Sequence, residues 1–334
     1  MADKTKIEWA DATLNYVNGC SLHSPGCTNC YAMKQAHRFP VRQGLTVQSK
    51  GGMVWTGEVR ENPKALEQAL RWQKPRAIFW NAHGDLFHES VPDEWIDKQF
   101  AIMALTPHHK HMILTKRSDR MRRYMLEMAA GKRPISHTAC GFLPDRDYGE
   151  VFDHIHFTFW PDSIHKYRSK GRKLPEMFKP IPNVWLGVSA ENQEWANKRI
   201  PDLLATPAAH RFVSCEPLLG PINLYDAMWA GKDWRENLFA SIDWIIAGGE
   251  SGPKARPMHP DWARKLRDQC AENGTSFNFK QNGEWVSVSD VEGSGKHYHF
   301  PDGTTVRKVG KRAAGRLLDG VTHDGDGTYE GEYV

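Results

Sequence analysis

The chain has 334 residues, 40% of them hydrophobic and 25% charged, with a formal net charge of +4, which is the composition of a globular protein and excludes a disordered or fibrous one. No apolar run approaches the roughly 20 residues needed to cross a bilayer, and Met1–Trp9 lacks the apolar core of a secretory leader. Six cysteines, three of them within eleven positions, argue against a secreted disulfide framework, so the expected setting is cytoplasmic with no membrane partner.

Taken in chain order, the first expected strand is Thr13–Val17, followed by the polar triplet Asn18-Gly19-Cys20. A helical stretch over Pro63–Trp72 leads to strand Ala77–Trp80, which ends on Asn81-Ala82-His83-Gly84-Asp85. Helix Asp93–Leu105 places Ile96, Phe100, Ile102 and Met103 near helical spacing, and strand His111–Leu114 ends on Thr115-Lys116-Arg117. Helix Asp119–Ala129 follows. From Gly131 to Pro180 the rhythm breaks into an interval rich in Pro, His and aromatic residues, read as an insertion. Strand Val184–Val188 ends on Ser189-Ala190-Glu191-Asn192 and precedes helix Gln193–Leu204. Strand Arg211–Val213 ends on Ser214-Cys215-Glu216, and strand Trp244–Ala247 on Gly248-Gly249-Glu250. Helix Asp261–Glu272 and strand Ser276–Phe279, ending on Lys280-Gln281-Asn282, complete the series.

Most of these strands are continuous apolar runs, as expected where helices cover both faces of a parallel sheet. Strand, loop and helix in repetition mean parallel β/α units, with right-handed crossovers that can close into a full or partial TIM-like barrel. A doubly wound open sheet is the competing architecture. In either arrangement the polar strand ends share one face, where such folds build active sites. The expected organisation is a (β/α) barrel domain over residues 1–283, with its insertion at about 131–180, and a small C-terminal β extension over 284–334 that turns around Asp302-Gly303.

The thiols Cys20, Cys27 and Cys30 carry the most chemistry. A structural zinc site wants four closed ligands, and His23 or His37 can complete one. Three thiolates on a [4Fe–4S] cluster instead leave one iron open to a chelating molecule. A redox pair is a third option. Cys140, Cys215 and Cys270 are scattered and read as buried structural thiols. No nucleophilic triad or phosphate-cradling P-loop appears, which argues against hydrolase and NTPase chemistry.

The segments "GCSLHSPGCTNCYA", "GDLFHESVP", "MILTKRSDRM", "NVWLGVSAENQ", "FVSCEPLLGPI", "WIIAGGESGPKARPMHPDW" and "FKQNGEW" are similar to those of a phage and bacterial family with a three-cysteine motif. A three-cysteine loop directly after the first strand of a β/α barrel also resembles the radical S-adenosylmethionine (radical SAM) superfamily. The usual motif there is Cys-x3-Cys-x2-Cys with an aromatic residue before the last cysteine; here the first gap holds six residues, Asn29 stands at the aromatic position and Tyr31 follows. The resemblance implies a [4Fe–4S] cluster on Cys20, Cys27 and Cys30, with S-adenosyl-L-methionine (SAM) on its open iron and a 5′-deoxyadenosyl radical as the working species. It further implies a one-electron reductant of flavodoxin or ferredoxin type, and the host cytoplasm as location if a phage encodes the chain.

Carried over by position, Tyr31, His83, Asp85, Lys116, Ser189, Glu191 and Asn192 become the candidate cofactor-binding residues. Asp85 stands at the strand end that holds the methionine ammonium, with a helix cap as its plain alternative. Arg117, Glu216, Gly249, Glu250 and Lys280 are candidate substrate or catalytic residues, Arg117 because a guanidinium pairs bidentately with carboxylate or phosphate. Glu216 and Lys280 read equally well as a buried ion pair. Lys166, Arg168, Lys170 and Arg172, in "HKYRSKGRK" beside Phe157, Phe159, Trp160 and Tyr167, suit a phosphate backbone with stacked or flipped bases. The resulting expectation is an enzyme, of isomerase or lyase type, that modifies or rearranges a nucleobase, here a hypermodified pyrimidine in phage DNA. Its rivals are a repair lyase for a DNA photoproduct and a zinc-stabilised nucleic-acid-binding module without catalysis.

Overall fold

The computed structural model describes residues 5, 7–133, 135, 138, 142, 180–229 and 242–327. In chain order the strands are β1 (Ala12–Leu14), β2 (Val17–Asn18), β3 (Thr46–Ser49), β4 (Gly52–Trp55), β5 (Arg60–Glu61), β6 (Ala77–Trp80), β7 (Lys110–Thr115), β8 (Val184–Ser189), β9 (His210–Cys215), β10 (Trp244–Gly248), β11 (Ser276–Gln281), β12 (Trp285–Ser287), β13 (His297–His299) and β14 (Thr305–Lys308). Seven of them form one parallel sheet in the order β1-β6-β7-β8-β9-β10-β11. That order rises without reversal, whereas a doubly wound sheet turns back at a switch point. The fold is therefore α/β, a seven-stranded partial barrel of the TIM-like kind, and the doubly wound alternative is excluded. No helix of the described residues is long and apolar enough to cross a membrane.

The chain divides into two compact units, the first comprising Met1–Ser21, Ala36–Leu186 and Thr206–His210. Within it β1 pairs with β6 from Ala12 opposite Ile78, and β6 pairs with β7 from Ala77 opposite Lys110. Helix Asp93–Leu105 opens with Asp93 and Glu94, which favour a helix N-terminus, and buries Ile96, Phe100, Ile102 and Met103. Full burial of a side chain such as Phe100, 0% exposed, stabilises by about 1.5–3 kcal/mol. The expected strand Thr13–Val17 is broken into β1 and β2 because Asn81 Oδ1 accepts hydrogen bonds from the backbone of Tyr16 and Val17 at 3.0 and 2.9 Å. Asn81 adopts φ 58°, a left-handed conformation that asparagine tolerates, and its amide donates to Gln99 at 2.9 Å. The hairpin β3–β4 was not among the expected elements, although the glycine turn at Gly51-Gly52 marks it.

The second unit comprises Leu22–Gln35, Gly187–Ala205 and Arg211–Val334. Helix Gln193–Leu204 is capped by Asn192, whose side chain accepts from the Trp195 N–H at 3.2 Å. β10 pairs in parallel with β9 and with β11, with a bulge between Ala247 and Gly248. Gly187 leaves no room for a side chain, since a Cβ there would lie 2.5 Å from the Phe212 ring. Helix Pro260–Glu272 buries its own Ala263, Leu266 and Cys270, and the short helix Leu224–Trp229 is an element the sequence reading missed. β12, β14 and β13 make an antiparallel sheet with β14 in the middle, and the β13–β14 hairpin turns at Asp302-Gly303 with Gly303 at φ 91°.

Candidate active site at the thiol loop

In the first unit, backbone approach sets the position of Cys20. Gly19, at φ +99°, carries no Cβ where one would lie 2.1 Å from the Glu58 carbonyl oxygen, and at Gly84 a Cβ would lie 2.5 Å from that of Val17. The two glycines form a parallel bridge, and the Gly19 N–H donates to the His83 carbonyl at 3.0 Å. Only glycine permits that approach at both positions.

Beside Cys20 lies Asp85, which does not cap a helix. Its carboxylate accepts from Thr115 Oγ1 at 2.6 Å, the Phe87 N–H at 3.0 Å, the Lys116 N–H at 3.1 Å and Arg117 Nη1 at 3.3 Å. Arg117 is only 2% exposed. Burial opposes its charge, yet Asp85, then Cys20 and Glu89, outweigh that and raise its pKa. Its Nη1 donates to Cys20 Sγ at 3.4 Å, its Nη2 to Ser21 Oγ at 2.6 Å, and its Nε to Glu89 at 3.3 Å. His88 Nδ1 accepts from the Ser90 N–H at 3.1 Å, so Nε2 carries the proton that it donates to Ser21 Oγ at 2.9 Å. Burial, then the Arg117 charge, pushes the His88 pKa down. His83 is likewise held neutral, with its pKa lowered to about 3 by burial and by Arg42.

In the second unit, the turn Pro25–Cys27 presents Cys27 and Cys30 on a carboxylate scaffold. Ser24 Oγ donates to Glu191 at 2.6 Å, and a Cβ at Gly26 would fall 2.4 Å from the same oxygen. Glu191, 0% exposed, pairs with Arg199 at 3.1 Å, and Arg199 is itself 1% exposed. Asn29 Nδ2 donates to Glu250 at 3.0 Å and to the Lys254 carbonyl at 2.9 Å. Glu250 also receives the Arg256 N–H, Nε and Nη2 at 2.8, 2.9 and 2.6 Å. Burial works against the Glu250 charge, but Arg256 and then Asn29 outweigh it and hold the carboxyl below its usual range. Cys27 is buried and Cys20 and Cys30 are half-buried; none of the three is in a disulfide.

Residues 4–326 match the family described as "Protein of unknown function (DUF5131)". The chain belongs to the DUF5131 family. No curated protein matches it. Among solved structures it is similar to a cysteine-to-serine mutant of spore photoproduct lyase, at TM-score 0.35 and 11% identity over 92% of this chain and 71% of that one. A tyrosine-to-phenylalanine mutant of the same enzyme gives TM-score 0.34 and 10% identity over the same shares. That likeness assigns no residue a role.

The remaining candidates of the DUF5131 chain fall as follows. Lys280 Nζ and Glu216 form a half-buried ion pair at 3.2 Å. Gly249 serves close backbone approach, because a Cβ there would lie 2.0 Å from the Asn282 carbonyl oxygen. Ser189 is buried, with its carbonyl accepting from Arg199 at 2.8 Å, and Asn192 is the helix cap already noted. Tyr31 is exposed at the first position of helix Tyr31–Gln35, and Lys116 is half-buried. Lys166, Arg168, Lys170, Arg172 and Cys140 lie outside the described residues. Cys215 is fully buried, and burial pushes its thiol up.

Sequence reasoning missed Ser21, Ser24, His88 and Glu89, whose partners are distant in the chain, Ser24 and Glu191 standing 167 residues apart. It also missed Arg199 and Arg256, which lie eight and six residues from Glu191 and Glu250 at a spacing that marks no motif. His88 and Glu89 did fall inside the quoted segment "GDLFHESVP". Among the described residues, one group of three His, Cys, Asp or Glu ligand atoms lies within 4.8 Å of one another, namely His259, Asp261 and Asp302. His259 Nδ1 accepts from the Asp261 N–H at 3.1 Å, which leaves its Nε2 protonated and donating to Asp302 at 2.9 Å. A protonated Nε2 has no lone pair for a metal, so this group is a helix cap and a pin.

Proposed function

We propose that this DUF5131 chain is a radical SAM enzyme whose Cys20, Cys27 and Cys30 hold a [4Fe–4S] cluster. The observation that carries the reading is three thiols outside any disulfide within eleven residues, after β1, the first strand of a parallel β/α sheet, and the short β2. The donor set fits: thiolates are the ligands such clusters use, and glycines at 19 and 26 leave the surrounding backbone and Glu191 room to close on the loop.

When bound, the cluster and SAM supply reductive cleavage of a sulfonium and a radical that takes a hydrogen atom from the substrate. The chain's own residues do the rest. Arg117 and the Gly19–Gly84 approach fix Cys20, while Ser24 and Asn29 tie the Cys27–Cys30 turn to Glu191 and Glu250. Lys116 takes the carboxylate of the methionine part or a substrate phosphate, and Asp85, whose carboxylate already receives four donors, holds Arg117 and the Lys116 backbone in place. The substrate class is a nucleobase in DNA, with a hypermodified pyrimidine as the specific candidate, and the electron comes from a flavodoxin- or ferredoxin-type donor in the cytoplasm.

The test is anaerobic reconstitution with iron and sulfide, followed by SAM, dithionite and DNA containing modified pyrimidines. The expected result is a brown protein that forms 5′-deoxyadenosine and an altered nucleoside, both lost in Cys20→Ala. A colourless zinc protein that leaves SAM intact would overturn the reading.

A further inference from the structure

Arg117 occupies a place that anion recognition does not explain. A guanidinium has five N–H donors. Here Nε donates to Glu89 at 3.3 Å, Nη1 to Cys20 Sγ at 3.4 Å and to Asp85 at 3.3 Å, and Nη2 to Ser21 Oγ at 2.6 Å and to the Ser21 carbonyl at 3.4 Å. Every donor is matched, and the side chain is 2% exposed. Nothing is left with which to clamp an incoming carboxylate or phosphate bidentately, so the role expected of it from the sequence does not follow.

We infer that Arg117 sets the reduction potential of the metal site by donating a hydrogen bond to the Cys20 thiolate, an inference that rests on the iron–sulfur reading above. Donors to ligand sulfur are one of the means by which a protein tunes such clusters. Reduction adds one electron from the external donor and makes the cluster more negative. A cationic donor at the ligand sulfur stabilises that reduced state more than the oxidised one, which raises the potential. Burial strengthens the effect, since the same hydrogen bond in water would be screened. Ser21, Asp85 and Glu89 hold the fork at this angle, and His88, neutral and donating to Ser21 Oγ, orients the serine that receives Nη2. Arg117 is therefore a potential-setting residue, with its contact on the ligand and not on the substrate.

The experiment is a redox titration of the reconstituted full-length chain, followed by the paramagnetic resonance of the reduced cluster. In Arg117→Met the midpoint is expected to move to more negative values, and in Arg117→Lys, which keeps a charge but loses the fork, by less. Ser21→Ala, which removes one anchor of the guanidinium, is expected to change the line shape of the reduced signal with iron content unchanged. If Arg117→Met fails to hold iron, a lowered midpoint in Arg117→Lys supports the inference by itself. Midpoints equal to the wild-type value in whichever of these variants hold a cluster would overturn it while leaving the functional reading intact. A wild-type chain with no cluster signal would overturn both.

Discussion

The two ends of the thiol loop are built on opposite charges. At Cys20 a buried guanidinium touches the sulfur itself, at 3.4 Å. At the Cys27–Cys30 end the turn is tied to two carboxylates, Glu191 through the Ser24 hydroxyl and Glu250 through the Asn29 amide. On the proposed iron–sulfur reading, the difference follows from the charge of a ligating thiolate. A cation beside it is favourable, whereas a carboxylate nearby must have its charge neutralised. Arg199 and Arg256 supply the neutralisation, so each anion scaffolds the turn with its charge already matched.

The most severe way to break this contrast is Glu191→Gln. It leaves Arg199, 1% exposed, without its counter-charge, and breaking a buried pair costs about 3–5 kcal/mol. A large fall in the urea midpoint is expected, accompanied by poor iron retention, whereas Glu194→Gln on the exposed face of the same helix should leave both nearly unchanged. An unaltered midpoint would mean that Glu191 does not anchor the turn. Gly26→Ala is next. Its Cβ would sit 2.4 Å from Glu191 Oε1, and overpacking of this kind costs about 1–3 kcal/mol. Calorimetry is expected to show the loss, and Gly26→Ala combined with Glu191→Ala should recover part of the local strain even though the pair is gone.

Acid should separate the two ends by smaller steps. His88 has a folded pKa below its ordinary 6.5, so its contribution is complete above 6.5 and declines as pH falls, because the unfolded chain takes the proton first. Glu250 has a folded pKa below its ordinary 4.5, so its contribution persists above 4.5 and is lost as pH falls through the lower folded value. Between 6.5 and 4.5, amide protection relative to the intrinsic exchange rate is expected to fall around Ser21 and His88 while that of the Ser24–Asn29 turn holds. Simultaneous loosening of both segments would remove the electrostatic distinction between them.

Much of the sheet is legible in the sequence because its strands are continuous apolar runs. Ala77–Trp80, Asp93–Leu105 and Gln193–Leu204 appear with the expected bounds, each fixed by local features such as Pro92 before Asp93 or Asn192 as cap. The break at Asn15-Tyr16 is not legible, since its cause is Asn81, 64 residues from Val17. The site divides in the same manner. Three thiols and seven polar strand ends can be read from the order of residues alone. That Arg117 is spent on Cys20, Ser21, Asp85 and Glu89, and that Lys280 is held by Glu216, depends on contacts spanning 28 to 97 residues.

The distances along the chain between Ser24 and Glu191, 167 residues, and between Asn29 and Glu250, 221 residues, have a temporal consequence. At a synthesis rate of about 5–20 residues per second, Cys27 and Cys30 leave the ribosome roughly 8–30 s before the first of their carboxylate anchors exists. The turn can take its final shape only after residue 250 of the 334 has been made. On the proposed iron–sulfur reading, metal loading at these thiols therefore follows synthesis of the segment that carries Glu250, and a product truncated before it would lack that anchor for its cluster.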